Sequence, residues 1–217
     1  MSAKQSAPGA DSARQRLVAA AIEQIEKSGI SRLTVRDVAA AAEANIAAVN
    51  YYFGSKEALI QAALEESIRH LVGDAQAHLD KVAKDPAQAL TNLFEYLFEG
   101  ALRFPYVSKA HLHAAFSEDD YSGPFPSMFA PVMLRIRDSL REHVAGLDEH
   151  TAGRRTIAAL SAVLFPACFA ELYQPLRSLD SARERKTYIQ EIVEHLLAPA
   201  AQRTSARKRR DLRDKRG

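Results

Sequence analysis

Apolar residues in this chain return every three or four positions, the spacing of one helix face. The pattern parses into nine helical segments with no strand candidate of weight and no internal repeat. Leu17, Val18, Ala21, Ile22 and Ile25 define the first, over 12–28, and Gly29 is placed to stop it in a left-handed conformation. Two short helices follow. In 34–42, Thr34 stands at the N-cap with Asp37 at the third helical position, a shortened capping box, and Val35, Val38, Ala39 and Ala42 make a narrow apolar stripe. In 45–53, Asn45 is the cap and Ile46, Val49 and Phe53 share one face, leaving Ala47, Ala48, Asn50 and Tyr51 to point elsewhere.

The rest of the chain reads as longer helices. Ser55 caps one that carries Leu59, Ile60, Ala63, Leu64, Ile68 and Leu71 on its apolar face to about residue 81. Asp85, Pro86 and Gln88 are a cap, a first-position proline and a third-position glutamine, and open a helix of Leu90, Leu93, Phe94, Leu97, Phe98, Ala101 and Leu102 that Phe104-Pro105 ends. A short helix is predicted over 105–116, then a loop over 117–126. The next helix, 127–145, turns Phe129, Val132, Met133, Ile136, Leu140 and Val144 inward, with a kink expected at Pro131. The last two are 151–173, interrupted by Pro166, and 181–198, opened by the Ser181–Glu184 capping box.

Composition narrows the class. With 217 residues, 47% hydrophobic, the chain can build one large domain or a small and a medium one, and nine Gly and nine Pro are too few for a turn-rich all-β protein. The fold class is therefore all-α. A single cysteine, Cys168, excludes a disulfide framework and a cysteine zinc site and suits a reducing cytoplasm. No apolar run reaches the roughly 18 residues of a membrane span, and residues 1–13 lack the build of a signal peptide. The expected location is the cytoplasm, with no membrane partner. The net charge of +2 conceals an asymmetry: residues 202–217 hold eight Lys or Arg against Asp211 and Asp214, a net +6, so the remainder sums to −4. Residues 10–60 balance six basic against six acidic side chains, so nucleic-acid binding there rests on placed groups such as Arg36 and Lys56.

The stretch 34–57, TVRDVAAAAEANIAAVNYYFGSKE, has the build of a helix-turn-helix: two short helices, an inward apolar edge, and an outward face thin enough for a major groove. Thr34, Val38-Ala39, Ala42, Asn45, the run 47–53 and Ser55-Lys56-Glu57 together resemble the DNA-binding signature of the TetR/AcrR family of repressors, in its AAVNY-x-FGSK branch. The resemblance covers about the first third of the chain. It implies a three-helix head over 12–57 and a six-helix effector-binding and dimerisation body over 58–200, flanked by a disordered arm at 1–11 and a disordered basic tail at 201–217 that either adds phosphate contacts or aids solubility. It also implies a homodimer on a palindromic operator, released by a small-molecule effector that in several members of this branch is lipophilic. By matching position, Thr34 and Lys56 take phosphate contacts, Asn45, Ala47 and Ala48 face base edges, and Asn50, Tyr51 and Tyr52 take groove and phosphate contacts. The bland readings are that Tyr52 packs against the first helix and that Lys56 is solvated. Two positions depart from the family: Glu43 stands where a turn glycine is usual, at a cost of roughly 1 kcal/mol if left-handed, and Asn50 replaces a tyrosine.

An effector site is sought in the body. Phe94, Phe98, Phe104, Phe116, Phe125, Met128, Phe129, Met133, Phe165 and Phe169 give more aromatic and sulfur surface than a bare bundle needs, with His111, His113, Ser161, Cys168 and Tyr173 as polar company. Of these, Phe94, Phe98, His111, Phe116, Phe129, Met133, Phe165 and Phe169 are the expected lining. The competing reading is a packed core, the commoner fate of aromatic stripes. A loop at 117–126 followed by Pro131 would splay neighbouring helices and leave a cavity for a lipophilic ligand with one polar end. Catalytic chemistry has no foothold. His111 and His113 point to opposite sides of a helix and cannot share a metal, Asp119-Asp120 reads as solvated loop, and no phosphate loop, nucleophile elbow or zinc spacing occurs, so no cofactor, metal or catalytic residue is expected. The helices 151–173 and 181–198 are the expected dimer interface, because a nearly all-apolar helix such as 157–170 must be covered on most sides. An all-helical enzyme, or an adaptor whose head binds protein, is the alternative.

Overall fold

Capping residues set most helix starts. In a computed structural model, which describes residues 8–199, the Thr34 hydroxyl accepts the Asp37 backbone N–H at 3.1 Å, Asn45 Oδ1 that of Ala48 at 2.7 Å, and Ser55 Oγ that of Ala58 at 3.0 Å. Asp85 does the same for Gln88 at 2.9 Å, and Ser181 and Glu184 form the full reciprocal box. At Thr34 the box is incomplete: Asp37 accepts the threonine's own hydroxyl at 2.6 Å instead of reaching its backbone N–H. The helices are α1 (Pro8–Ser28), α2 (Val35–Ala41), α3 (Ile46–Phe53), α4 (Lys56–Leu79), α5 (Pro86–Arg103), α6 (Pro105–Glu118), α7 (Pro124–His143), α8 (Glu149–Cys168), α9 (Ala170–Tyr173) and α10 (Ala182–Leu197). Short 3₁₀ turns follow α1 and α9. No strand occurs among the described residues, and no single helix there is long and apolar enough to cross a membrane.

Two cores organise these helices. The first holds Leu17, Ile25, Leu33, Val38, Val49, Leu59 and Ala63, uniting α1–α3 with the N-terminal half of α4, and Val107 and Ala110 of α6 close its side. The second gathers Ile68, Leu90, Phe94, Leu97, Phe98, Ile136, Leu140, Leu160, Val163, Ile189 and Val193 from the C-terminal half of α4 and from α5, α7, α8 and α10. Both α4 and α6 therefore belong to head and body at once. Arg185 to Glu99 at 2.6 Å and Arg135 to Asp80 at 2.7 Å tie α10 to α5 and α7 to the end of α4 at the surface.

Several boundaries differ from expectation, for local reasons. Where one helix was expected from residue 12, α1 begins at Pro8; proline is tolerated there because first-turn N–H groups have no partner within the helix. The same rule shrinks the 117–126 loop to 119–123, since Pro124 and Pro126 fall inside the first turn of α7 and α6 continues through Glu118. Gly29 takes φ 78 with ψ 166, a positive-φ extended state rather than the left-handed helical one. The helix expected over 151–173 breaks at Phe169, not at Pro166, and the chain turns there by 98°. Pro166 is accommodated because the Ala162 carbonyl, deprived of its i+4 N–H, accepts the Tyr188 hydroxyl at 2.8 Å. The turn at Phe169 sets its ring 4.8 Å from Phe165. With α9 a separate helix, ten α-helices stand among the described residues where the sequence pattern predicts nine. The tail at 201–217 and residues 1–7 of the arm lie outside the described residues.

Candidate nucleic-acid interface and the cavities behind it

The turn between α2 and α3 is a Schellman closure. The Ala44 N–H bonds the Ala39 carbonyl at 2.9 Å and the Glu43 N–H that of Ala40 at 3.2 Å, which requires the intervening residue to be left-handed. Glu43 is that residue, at φ 52. Arg16 of α1 reaches over and donates to the Ala42 carbonyl at 3.3 Å, fastening the turn to the first helix. Sequence reasoning passed over Arg16, because only the crossing of α1 over α2 brings it there.

The inward edge of α3 is rotated from the expected one. Val49 is fully buried, and Ala48, Tyr52 and Phe53 pack against the head core, whereas Ile46 is 45% exposed. An apolar Ile46 at the surface leaves residues 46, 47, 50 and 51 as the outward strip. Ala47 and Asn50 are exposed, and Tyr51 is 82% exposed, its ring edge-on to Tyr52 at 5.0 Å. Thr34, Arg36 and Asn45 are exposed around that strip, and Lys56 opens α4 half-buried. Arg14 of α1 lies over the Phe53 ring at 5.4 Å, holding the end of α3. The surface therefore presents amide and phenol groups flanked by two cations and by the carboxylates of Asp37 and Glu43.

Behind the head, among the described residues, the expected lining is divided over separate cavities rather than gathered in one pocket. A 250 Å³ cavity between α6, α7 and α8 is lined by Phe116, Phe125, Phe129, Met133, Phe165 and Phe169, with Cys168. Stacked rings of Phe125 and Phe129, 5.1 Å apart, form one wall. Met133, expected to face inward, is 38% exposed at the edge of this opening. A second, of 360 Å³, lies at the head–body junction and shares Leu112, Phe125, Leu164 and Cys168 with the first. It holds His111, whose Nε2 lies 3.4 Å from Ser67 Oγ and whose pKa burial pushes down to about 4. His113, two residues on, is exposed, as the opposite-sides reading required. Phe98 lines a third cavity of 190 Å³ beside Tyr173, and Phe94 is fully buried in the body core and lines none of these. Glu26, Ser67, Tyr96 and Phe104 also face the junction cavity. Glu26, Ser67 and Tyr96 escaped the sequence reading because each sits on the polar flank of a different helix.

Residues 17–63 match the profile of bacterial regulatory proteins of the tetR family. Over 96 residues the chain is 32% identical to the transcriptional repressor NicS of Pseudomonas putida, covering 44% of this chain and 45% of that one. The transcriptional regulator BetI of Paraburkholderia phytofirmans is 26% identical over 152 residues, 70% of this chain and 77% of its own. With NicS, then, the alignment spans less than half the relative's length. The likeness of the whole fold shows against a solved TetR-family regulator of Mesorhizobium loti, with a TM-score of 0.70 at 13% identity, covering 87% of this chain and 96% of the other. The head is thus similar in sequence to bacterial regulatory proteins of the tetR family, and the helical chain as a whole shares the fold of a solved regulator of that family.

Proposed function

We propose that this chain is a cytoplasmic, homodimeric transcriptional repressor that reads a palindromic operator through paired α3 helices and is released by a small lipophilic effector. The observation that carries this reading is the outward strip of α3. An 82%-exposed tyrosine next to an exposed asparagine and alanine, on a helix whose opposite edge is pinned in the head core, has no folding role and suits base edges and backbone. In this reading Asn45, Ala47, Asn50 and Tyr51 enter the groove, whereas Ala48, expected at a base edge, is half-buried against the head core and supports the strip from behind. Thr34, Arg36, Tyr52 and Lys56 hold phosphates, Thr34 by turning its hydroxyl away from Asp37.

Dimerisation is supported by what one chain leaves uncovered. Ile157 is 67% exposed and Phe165 44% exposed on α8, and a 350 Å³ apolar groove lined by Ala158, Ala162, Tyr188 and Ile192 runs between α8 and α10. The cavities lined by Phe98, His111, Phe116, Phe129, Met133, Phe165 and Phe169, above the core floor that Phe94 helps form, would take the effector. Its effect requires tighter binding to the DNA-incompetent state than to the competent one.

Selection of bound sequences from random DNA tests the reading, and recovery of a palindrome supports it. On the recovered operator, Tyr51→Ala and Lys56→Ala should each weaken binding by about tenfold. Lys56→Ala should also flatten the salt dependence by about one phosphate contact. Unchanged affinity in both variants defeats the site assignment, and failure to enrich any sequence favours a protein-binding adaptor.

A further inference from the structure

The junction cavity, 360 Å³ between α1, α4, α5, α6, α7 and α8, has the size of a small-molecule site. Its charge inventory is lopsided. Glu26 of α1 lines it, and no lysine or arginine does. Glu26 makes no ion pair or hydrogen bond among the described residues. Burial and the neighbouring Glu23 raise its pKa, partly offset by Arg103 and Lys27. The two histidines do not balance it. His70 turns to Glu66 at 3.0 Å, and His111, its pKa pushed to about 4, is neutral at pH 7. Around them, Tyr96 and Phe125 present aromatic rings, whose faces attract cations, while Phe104 adds apolar surface with the Arg103 guanidinium already over its ring at 5.1 Å. An anionic ligand would find no lysine or arginine in the lining, Arg103 standing outside it over Phe104, and would face a carboxylate. A neutral one would leave that half-buried carboxylate unpaired.

We infer that this cavity binds a small lipophilic organic cation, a protonated amine or heteroaromatic base, whose nitrogen pairs with the Glu26 carboxylate while its apolar body lies among Tyr96, Phe104 and Phe125. The inference deepens the effector reading above and rests on it for the consequence at the operator. Glu26 belongs to the first helix of the head, whereas the rings belong to the body, so such a ligand joins the two directly. Its free energy of binding then acts on the angle between head and body without passing through another helix.

Three probes that share one body and differ in the head group test the charge: 4-phenylbutylamine, 4-phenylbutanol and 4-phenylbutyrate, titrated calorimetrically into the full chain at pH 7. The amine should bind tightest, by about tenfold or more over the carboxylate, the ratio of one charge-assisted hydrogen bond. Glu26→Gln, at a half-exposed position, should weaken the amine by about tenfold and leave the alcohol within about twofold. Phe125→Leu, which keeps an apolar wall, should weaken the amine more than the alcohol. A carboxylate that binds as tightly as the amine, an amine indifferent to Glu26→Gln, or no amine binding at millimolar concentration overturns the inference. Operator affinity measured alongside separates the two readings. Glu26-dependent amine binding that leaves the operator complex intact supports the cation site and sinks the effector role. Carboxylate binding that releases the operator does the reverse.

Discussion

Glu43 occupies the one position in the head where its residue type and its backbone disagree. The chain must reverse between α2 and α3, and the pair of bonds from Ala44 to Ala39 and Glu43 to Ala40 fixes φ 52 at Glu43. Leaving the left-handed region would forfeit both bonds, and staying costs the side chain roughly 1 kcal/mol. Glycine has no Cβ to clash there, though it also gains freedom in the unfolded chain. Glu43→Gly should therefore stabilise the protein by about 0.5–1 kcal/mol, read as a higher urea midpoint at unchanged slope. It should also tighten operator binding at low salt, because one carboxylate leaves the turn beside the proposed DNA-reading strip. Destabilisation would mean that the Glu43 side chain contributes a contact outweighing its backbone cost.

Element by element, what the sequence disclosed follows the range of the forces involved. Caps are local, so Thr34, Asn45, Ser55, Asp85 and Ser181 were legible, and each starts its helix as read. The helix-turn-helix was legible because a dozen residues must agree in register. The lining of the cavities was not, since Glu26, Ser67 and Tyr96 meet only through the packing of α1, α4 and α5. The Pro166 misreading has the same origin. A proline seen alone predicts a break, but the orphaned Ala162 carbonyl finds the Tyr188 hydroxyl of α10 at 2.8 Å, 26 residues away. That compensation is measurable as a coupling. Tyr188→Phe should cost about 1 kcal/mol in the native background by stranding the Ala162 carbonyl. In a Pro166→Ala background, where an N–H is restored to that carbonyl, the same change should cost much less. Equal costs in both backgrounds, by chemical denaturation, would mean that the hydroxyl stabilises by something other than its bond to the Ala162 carbonyl, since the ring and its packing on Phe98, 6.3 Å away, survive the substitution.

At the scale of the molecule, α4 is the part that cannot belong to one domain alone. Leu59 and Ala63 are locked in the head core and Ile68, Ala75 and Leu79 in the body core, so a shift of the body along α4 carries the head with it. In the proposed dimer two heads on one operator need a fixed partner surface, and the face of α8 that carries the exposed Ile157 and Phe165 offers one. Burying such a side chain in a dimer contributes roughly 1.5–3 kcal/mol, whereas a charge at the same place leaves it unpaired in an apolar seam. Ile157→Asp should thus give a monomer by light scattering with its helical circular dichroism intact, because the residue is exposed in the isolated chain. Operator affinity should fall by about 100-fold or more, since each half-site would then be bound without the effective concentration supplied by the linked head. An intact dimer in this variant would move the interface off α8. A monomer with undiminished affinity would show that one head suffices, and the palindrome would lose its physical reason.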